Sequence, residues 1–129
     1  MKICSDEEFQ QLVGKISNLC IEGMVSAEYC RFFNVDFDSS RKRLLESYAD
    51  FSACCAWLSG CLFEGYATHH SPGTDRLLSR VSSSLGRPVS HGALISAVFY
   101  LELPYMMPGN SPGLTVGVSR FCPRLNASD

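Results

Sequence analysis

The stretch Ser90-His91-Gly92-Ala93-Leu94-Ile95-Ser96-Ala97-Val98-Phe99-Tyr100-Leu101 decides the fold. Ser90 can cap a helix through its side-chain oxygen, and from Ala93 to Leu101 only Ser96 interrupts an apolar run. A helix with almost no polar face has to be buried, so residues 90–102 are read as a buried helix. Upstream, Thr74-Asp75 starts a helix over 74–85. It sets Leu77, Leu78, Val81 and Leu85 on one side and Arg76, Arg80 and several serines on the other, and stops at Gly86-Arg87-Pro88.

Further toward the N-terminus, Asp38-Ser39-Ser40 opens the longest pattern. Leu44, Tyr48, Phe51, Cys55, Leu58, Leu62 and Tyr66 keep a three-or-four-residue rhythm that predicts one helix over 39–68. Ala49, Ala53, Cys54, Trp57 and Cys61 add a second apolar face, which makes this helix the expected central element. Ser26 caps a shorter helix, 26–33, through Ala27, Tyr29, Cys30 and Phe32. Ser5-Asp6-Glu7-Glu8 starts a first helix, 5–22, carrying Phe9, Leu12, Val13, Ile16, Leu19 and Cys20. Beyond Pro104 the pattern changes. Tyr105-Met106-Met107, a turn-rich Pro108-to-Gly113 and an alternating Leu114-to-Ser119 predict a β-hairpin over 104–120. The fold class is therefore mainly α (α+β): one domain, 1–129, of four or five helices around a long central helix, with a small C-terminal hairpin.

Composition narrows the function classes. Thirteen acidic and eleven basic residues leave a net charge of -2, which excludes a strongly basic nucleic-acid coat. Residues 1–64 hold ten acidic and six basic side chains. Residues 65–129 hold three acidic side chains and five arginines, so the charge is polarised along the chain. No export signal is visible at the start, and the apolar run Phe51–Phe63 falls short of the roughly 20 residues that span a bilayer. The expectation is a cytoplasmic protein without a membrane partner. Its seven cysteines are odd in number and match no disulfide framework, so they are read as small reduced hydrophobes. In that compartment the triplet Asn126-Ala127-Ser128 carries no glycan.

Local chemistry is sparse. His69-His70, with Cys61 and His91 at a distance, lack the spacing of a metal site, because neighbours on a helix end point about 100° apart. No metal and no cofactor are expected. No thiol or hydroxyl sits in a nucleophile pattern, so the chain is not read as an enzyme, although a small enzyme with an unrecognised Cys/His site is one alternative. His91 in a first helical turn is disfavoured as a cation, which suits a neutral base or an inert cap equally. A second alternative is a helix-turn-helix regulator that uses Arg76, Arg80 and Arg87. Its second helix begins Ser90-His91-Gly92 and is then apolar, which leaves few side chains to read a groove.

A protein-binding module is the preferred reading. Tyr100, Tyr105, Met106 and Met107 lie at a helix end or in the hairpin, where aromatic and thioether surface suits an interface. Asp36 and Asp38 supply acidic contacts. In size, acidic balance and absence of a catalytic signature, the chain resembles the small stand-alone inhibitors of phages and mobile elements, anti-CRISPR proteins among them. That resemblance rests on composition, with no motif matched residue by residue. It implies stoichiometric blocking of a larger protein or nucleoprotein complex, with acidic side chains meeting a basic groove. A homodimer is also compatible with the sequence.

Overall fold

The computed structural model describes residues 5–68, 70–107 and 112–120. Along the chain come α1 (Asp6–Gly14), β1 (Leu19–Cys20), β2 (Gly23–Met24), α2 (Ala27–Phe32), α3 (Phe37–Leu45), α4 (Tyr48–Ser59) and β3 (Leu62–Phe63). They are followed by α5 (Thr74–Leu85), α6 (His91–Tyr100), β4 (Tyr105–Met106), β5 (Thr115–Val116) and β6 (Val118–Arg120). The protein is a small, mainly helical α+β domain whose strands pair two by two, β1 with β2, β3 with β6 and β4 with β5, each antiparallel.

Helix α6 forms as its sequence demands. Ser90 accepts from the Ala93 amide (3.1 Å), and every residue from Gly92 to Val98 is buried. Helix α4 packs along it and α5 flanks it. Gly92 seats its start: the Gly92 amide donates to the Ile21 carbonyl (3.0 Å), and a Cβ there would run into the Cys20 carbonyl. The centre of the fold is thus α6, with α4 beside it. Helix α4 leaves Ala49, Ala56 and Ser59 exposed. Around α6 the core gathers Phe9, Phe51, Trp57, Leu58, Leu77 and Leu94, with Phe9 stacked on Phe51 (4.5 Å between ring centres).

Several boundaries depart from the sequence reading. The helix expected over 5–22 begins as foreseen, with a reciprocal cap between Ser5 and Glu8, but stops at Gly14. The Arg41 guanidinium donates to the Val13, Ile16 and Leu19 carbonyls (2.5, 2.8 and 3.2 Å) and holds the turn that follows the helix. Leu19 to Met24 are then free to form a hairpin that buries both faces of its short strands.

The helix expected over 39–68 is two helices. The break lies at Glu46-Ser47, where the Ser47 hydroxyl turns back onto the Leu44 carbonyl (2.6 Å). The second helix ends at Gly60. Leu62 and Tyr66, which continue the apolar rhythm, are 55% and 66% exposed. Among the described residues, six helices therefore stand where four or five were expected. The C-terminal hairpin is present, with Tyr105 opposite Val116 and Met106 opposite Thr115. Its later part leaves it, because Val118 and Arg120 pair with Phe63 and Leu62. The turn at Pro108–Ser111 lies outside the described residues.

One ion pair ties the α5–α6 connection to α4. Arg87 reaches Asp50 (2.6 Å), and the other Asp50 oxygen accepts from the Ser90 amide (3.3 Å). A part-exposed pair is worth at most about 1 kcal/mol, whereas removing Asp50 also strips a partner from an amide at the α6 cap. Asp50→Ala should therefore lower the urea midpoint more than Arg87→Ala does. Equal losses would show that the Ser90 contact adds nothing.

Candidate functional site

Helix α2 is the element whose residues the core does not use. Ser26 caps it by accepting from the Tyr29 amide (3.0 Å), and Asn34, at φ 56°, turns the chain away after Phe33. None of its residues is buried. Phe32 is 82% and Phe33 58% exposed, and their rings meet edge-on (4.9 Å) while Phe33 also lies against Tyr29 (4.5 Å). The three rings form one contiguous aromatic ridge. Isolated exposed apolar residues are ordinary on any protein surface; a cluster marks a contact site. Burying one phenylalanine would contribute about 1.5–3 kcal/mol, and this helix leaves two of them in water.

Concave surface flanks the ridge. On the Phe32 side a groove of about 410 Å³ runs between α2 and the segments at Met107 and Gly113–Leu114, lined also by Asn18, Met24, Tyr29 and Phe32. On the Phe33 side, Tyr29 and Phe33 border a second concavity of similar size with Glu22, Asp36 and Arg43. The Tyr29 hydroxyl is held above its usual pKa, first by burial and then by Glu22, so it stays protonated as a donor.

The residues singled out from sequence distribute unevenly about this site. Met107, 52% exposed, lines the Phe32 groove. Asp36 borders the Phe33 concavity, where it also caps α3 by accepting from the Ser39 amide (3.2 Å), and Asp38 is exposed in the first turn of the same helix. Tyr105 is 45% exposed and packs edge-on against Phe99 (5.0 Å), Met106 is half-buried, and Tyr100 is half-buried against Phe51. None of these three lines either concavity. Arg76 and Arg80 share a shallow depression on α5, whereas Arg87 is paired with Asp50. The start of α6, which a groove-reading helix would have to present, is pressed onto the β1–β2 turn. The sequence reading places Phe32 in a short helix over 26–33 and assigns no site role to Phe32 or Phe33. Their one sequence signal is that two adjacent phenylalanines stand at the end and the C-cap of a six-residue helix too short to bury both.

His69 lies outside the described residues, and His70 is exposed in a turn. No group of three or more His, Cys, Asp or Glu among the described residues is placed to hold a metal ion. Also among them, no helix is long and apolar enough to cross a membrane. Cys20, Cys30, Cys54, Cys55 and Cys61 are free thiols. Burial, with Asp50 nearby, pushes the Cys54 thiol up to about 12. At pH 8 only about one molecule in ten thousand then carries the reactive thiolate. A thiol reagent should label Cys54 only after denaturation, as mass spectrometry would show; labelling of the native protein as fast as at Cys30 would contradict the packing.

Thr74 and His91 form a part-buried polar side-chain pair, with Oγ1 and Nε2 2.6 Å apart. Thr74 is fully buried and also accepts from the Leu114 amide (3.0 Å). A nucleophile needs access to substrate, and this hydroxyl has none. The pair is a fastening between the starts of α5 and α6.

Family models, curated proteins and solved structures contain no match to this chain.

Proposed function

We propose that the protein is a binding module that engages another protein in equal numbers through the aromatic ridge of α2. The observation that carries this reading is the joint exposure of Phe32 and Phe33 on a helix with no buried residue. Aromatic side chains held rigidly at the surface bring large contact area at little entropic cost, which is why such residues dominate the centres of interfaces. The groove on the Phe32 side accepts apolar side chains from the partner, with Met107 as an adaptable edge, and the concavity on the Phe33 side offers polar contacts.

Charge specifies the partner's rim. Glu28 stands in the Phe32 groove, and Glu22, Asp36 and Asp38 lie on the Phe33 side or just beyond it, with Arg43 as the counterweight there. An apolar surface with a basic border is the complement. Where the partner is a nucleoprotein machine, as the resemblance to defence inhibitors implies, Asp36 and Asp38 would meet the groove that otherwise holds nucleic acid, and occupancy would block it.

The test compares what wild type captures from host extract with what two folded variants capture. Phe32→Ser with Phe33→Ser should abolish capture of the specific partner, whereas Leu62→Ser with Tyr66→Ser should preserve it. The reverse pattern would move the interface to the β3 region, and capture surviving both changes would end the reading.

A further inference from the structure

The Thr74–His91 pair stands at the junction of four segments. The backbone of Glu22, in the β1–β2 turn, lies beside the His91 ring. Thr74 Oγ1 takes the Leu114 N–H, and the Nε2 of a neutral ring is the acceptor beside it for the hydroxyl's own proton. The Thr74 amide donates to the Leu114 carbonyl (2.7 Å), and the Met24 amide donates to the Pro112 carbonyl (2.8 Å). Pro112–Leu114 is thereby strapped to α5, to α6 and to the β1–β2 hairpin. Gly113 permits the approach, since a Cβ there would stand 2.7 Å from Thr74 Oγ1 and 3.2 Å from His91 Cε1. Gly113 and Leu114 are also part of the wall of the groove under Phe32.

We propose that the His91–Thr74 contact is a pH-sensitive latch: neutral His91 clamps Pro112–Leu114, and protonation of the ring releases that segment and with it one wall of the Phe32 groove. Adding a proton to Nε2 turns an acceptor into a donor. The Thr74 hydroxyl proton then has no acceptor in the latch, in a place closed to water. The charged group facing His91 is Asp75 on α5, and from the hairpin turn Glu22 acts on the ring through its backbone. Burial, the largest influence, lowers the His91 pKa below its usual value; Asp75 opposes it. The sign follows. The open latch takes up a proton near the ordinary histidine value of about 6.5 while the closed latch resists it, so closure is fully favoured above that pH and weakens as pH falls through it. Loss of groove geometry as a control on binding rests on the interface reading above; the release itself does not.

Amide hydrogen exchange between pH 8 and 5 tests the latch, read as protection after correction for intrinsic chemistry. At Leu114, Thr74 and Met24 protection should hold above pH 7 and fall by up to about tenfold per pH unit below about 6.5, while amides inside α6 stay protected. The His91→Gln variant should show no such dependence. In wild type alone, the His91 ring resonance should titrate together with the Leu114 amide. Flat protection, the same dependence in His91→Gln, or a titrating ring with an unmoved Leu114 amide would each overturn the proposal. Partner capture at pH 7.5 by the α2 variants is read separately, so failure of the latch and failure of the interface give different results.

Discussion

Gly92→Ala should destabilise the protein by about 2–3 kcal/mol, seen as a lower denaturation midpoint with an unchanged slope. On helix propensity alone the change should stabilise, because alanine in a helix is favoured over glycine by about 1 kcal/mol. The sign is reversed here by contact. The added methyl group would enter the Cys20 carbonyl and press on Ile21 Cα, which is 3.0 Å from its ideal position, and backbone cannot swing aside as the tip of a side chain can. Relief would require lifting α6 from the β1–β2 turn, breaking the bond from the Gly92 amide to Ile21 and disturbing the His91 contacts beside it. A variant as stable as wild type, or more so, would mean that the start of α6 is not seated on the hairpin.

How much of this arrangement is legible in the sequence depends on how local its causes are. Helices α5 and α6 can be read almost to the residue, because Ser90 caps one, Gly86 closes the other in a left-handed conformation, and both carry decisive apolar patterns. The end of α1 cannot be read from its own residues. It is fixed by Arg41, which arrives from α3 to take carbonyls between Val13 and Leu19. Nor does the break at Glu46-Ser47 leave a trace in periodicity, since Leu44, Tyr48 and Phe51 keep their spacing across it and all three pack into or against the core. Strand β6 leaves the hairpin for β3, some 55 residues away, a choice made by packing and not by turn chemistry.

The candidate site was half visible. Met107 and Asp36 were marked by residue type and loop position, and both border the ridge. Phe32 and Phe33 were not, because apolarity states a preference for burial without stating whether the fold can grant it. Among the arginines marked as a nucleic-acid face, Arg87 is tied to Asp50, and Gly92–Val98 of α6 are buried.

The second large effect concerns binding. Phe32→Ser with Phe33→Ser should weaken the complex at least about 100-fold, the sum of two interface residues at about 1.4 kcal/mol or more each. Stability should stay within about 0.5 kcal/mol of wild type, because neither ring is part of the core. Trp57→Ala gives the opposite signature: about 3–5 kcal/mol of stability lost from a fully buried ring, with no direct contact to a partner. If the phenylalanine variant instead melts as the tryptophan variant does, the ridge belongs to the core and not to an interface.

Where the partner touches is tested most directly by placing a photoreactive benzoylphenylalanine at one position at a time, Phe32 on α2 or Arg76 on α5, and irradiating each protein in host extract. The Phe32 position should give a discrete adduct that saturates at one copy per partner, and the Arg76 position should give none. An adduct from Arg76 with nothing from Phe32 would contradict the assignment and transfer recognition to the arginine face.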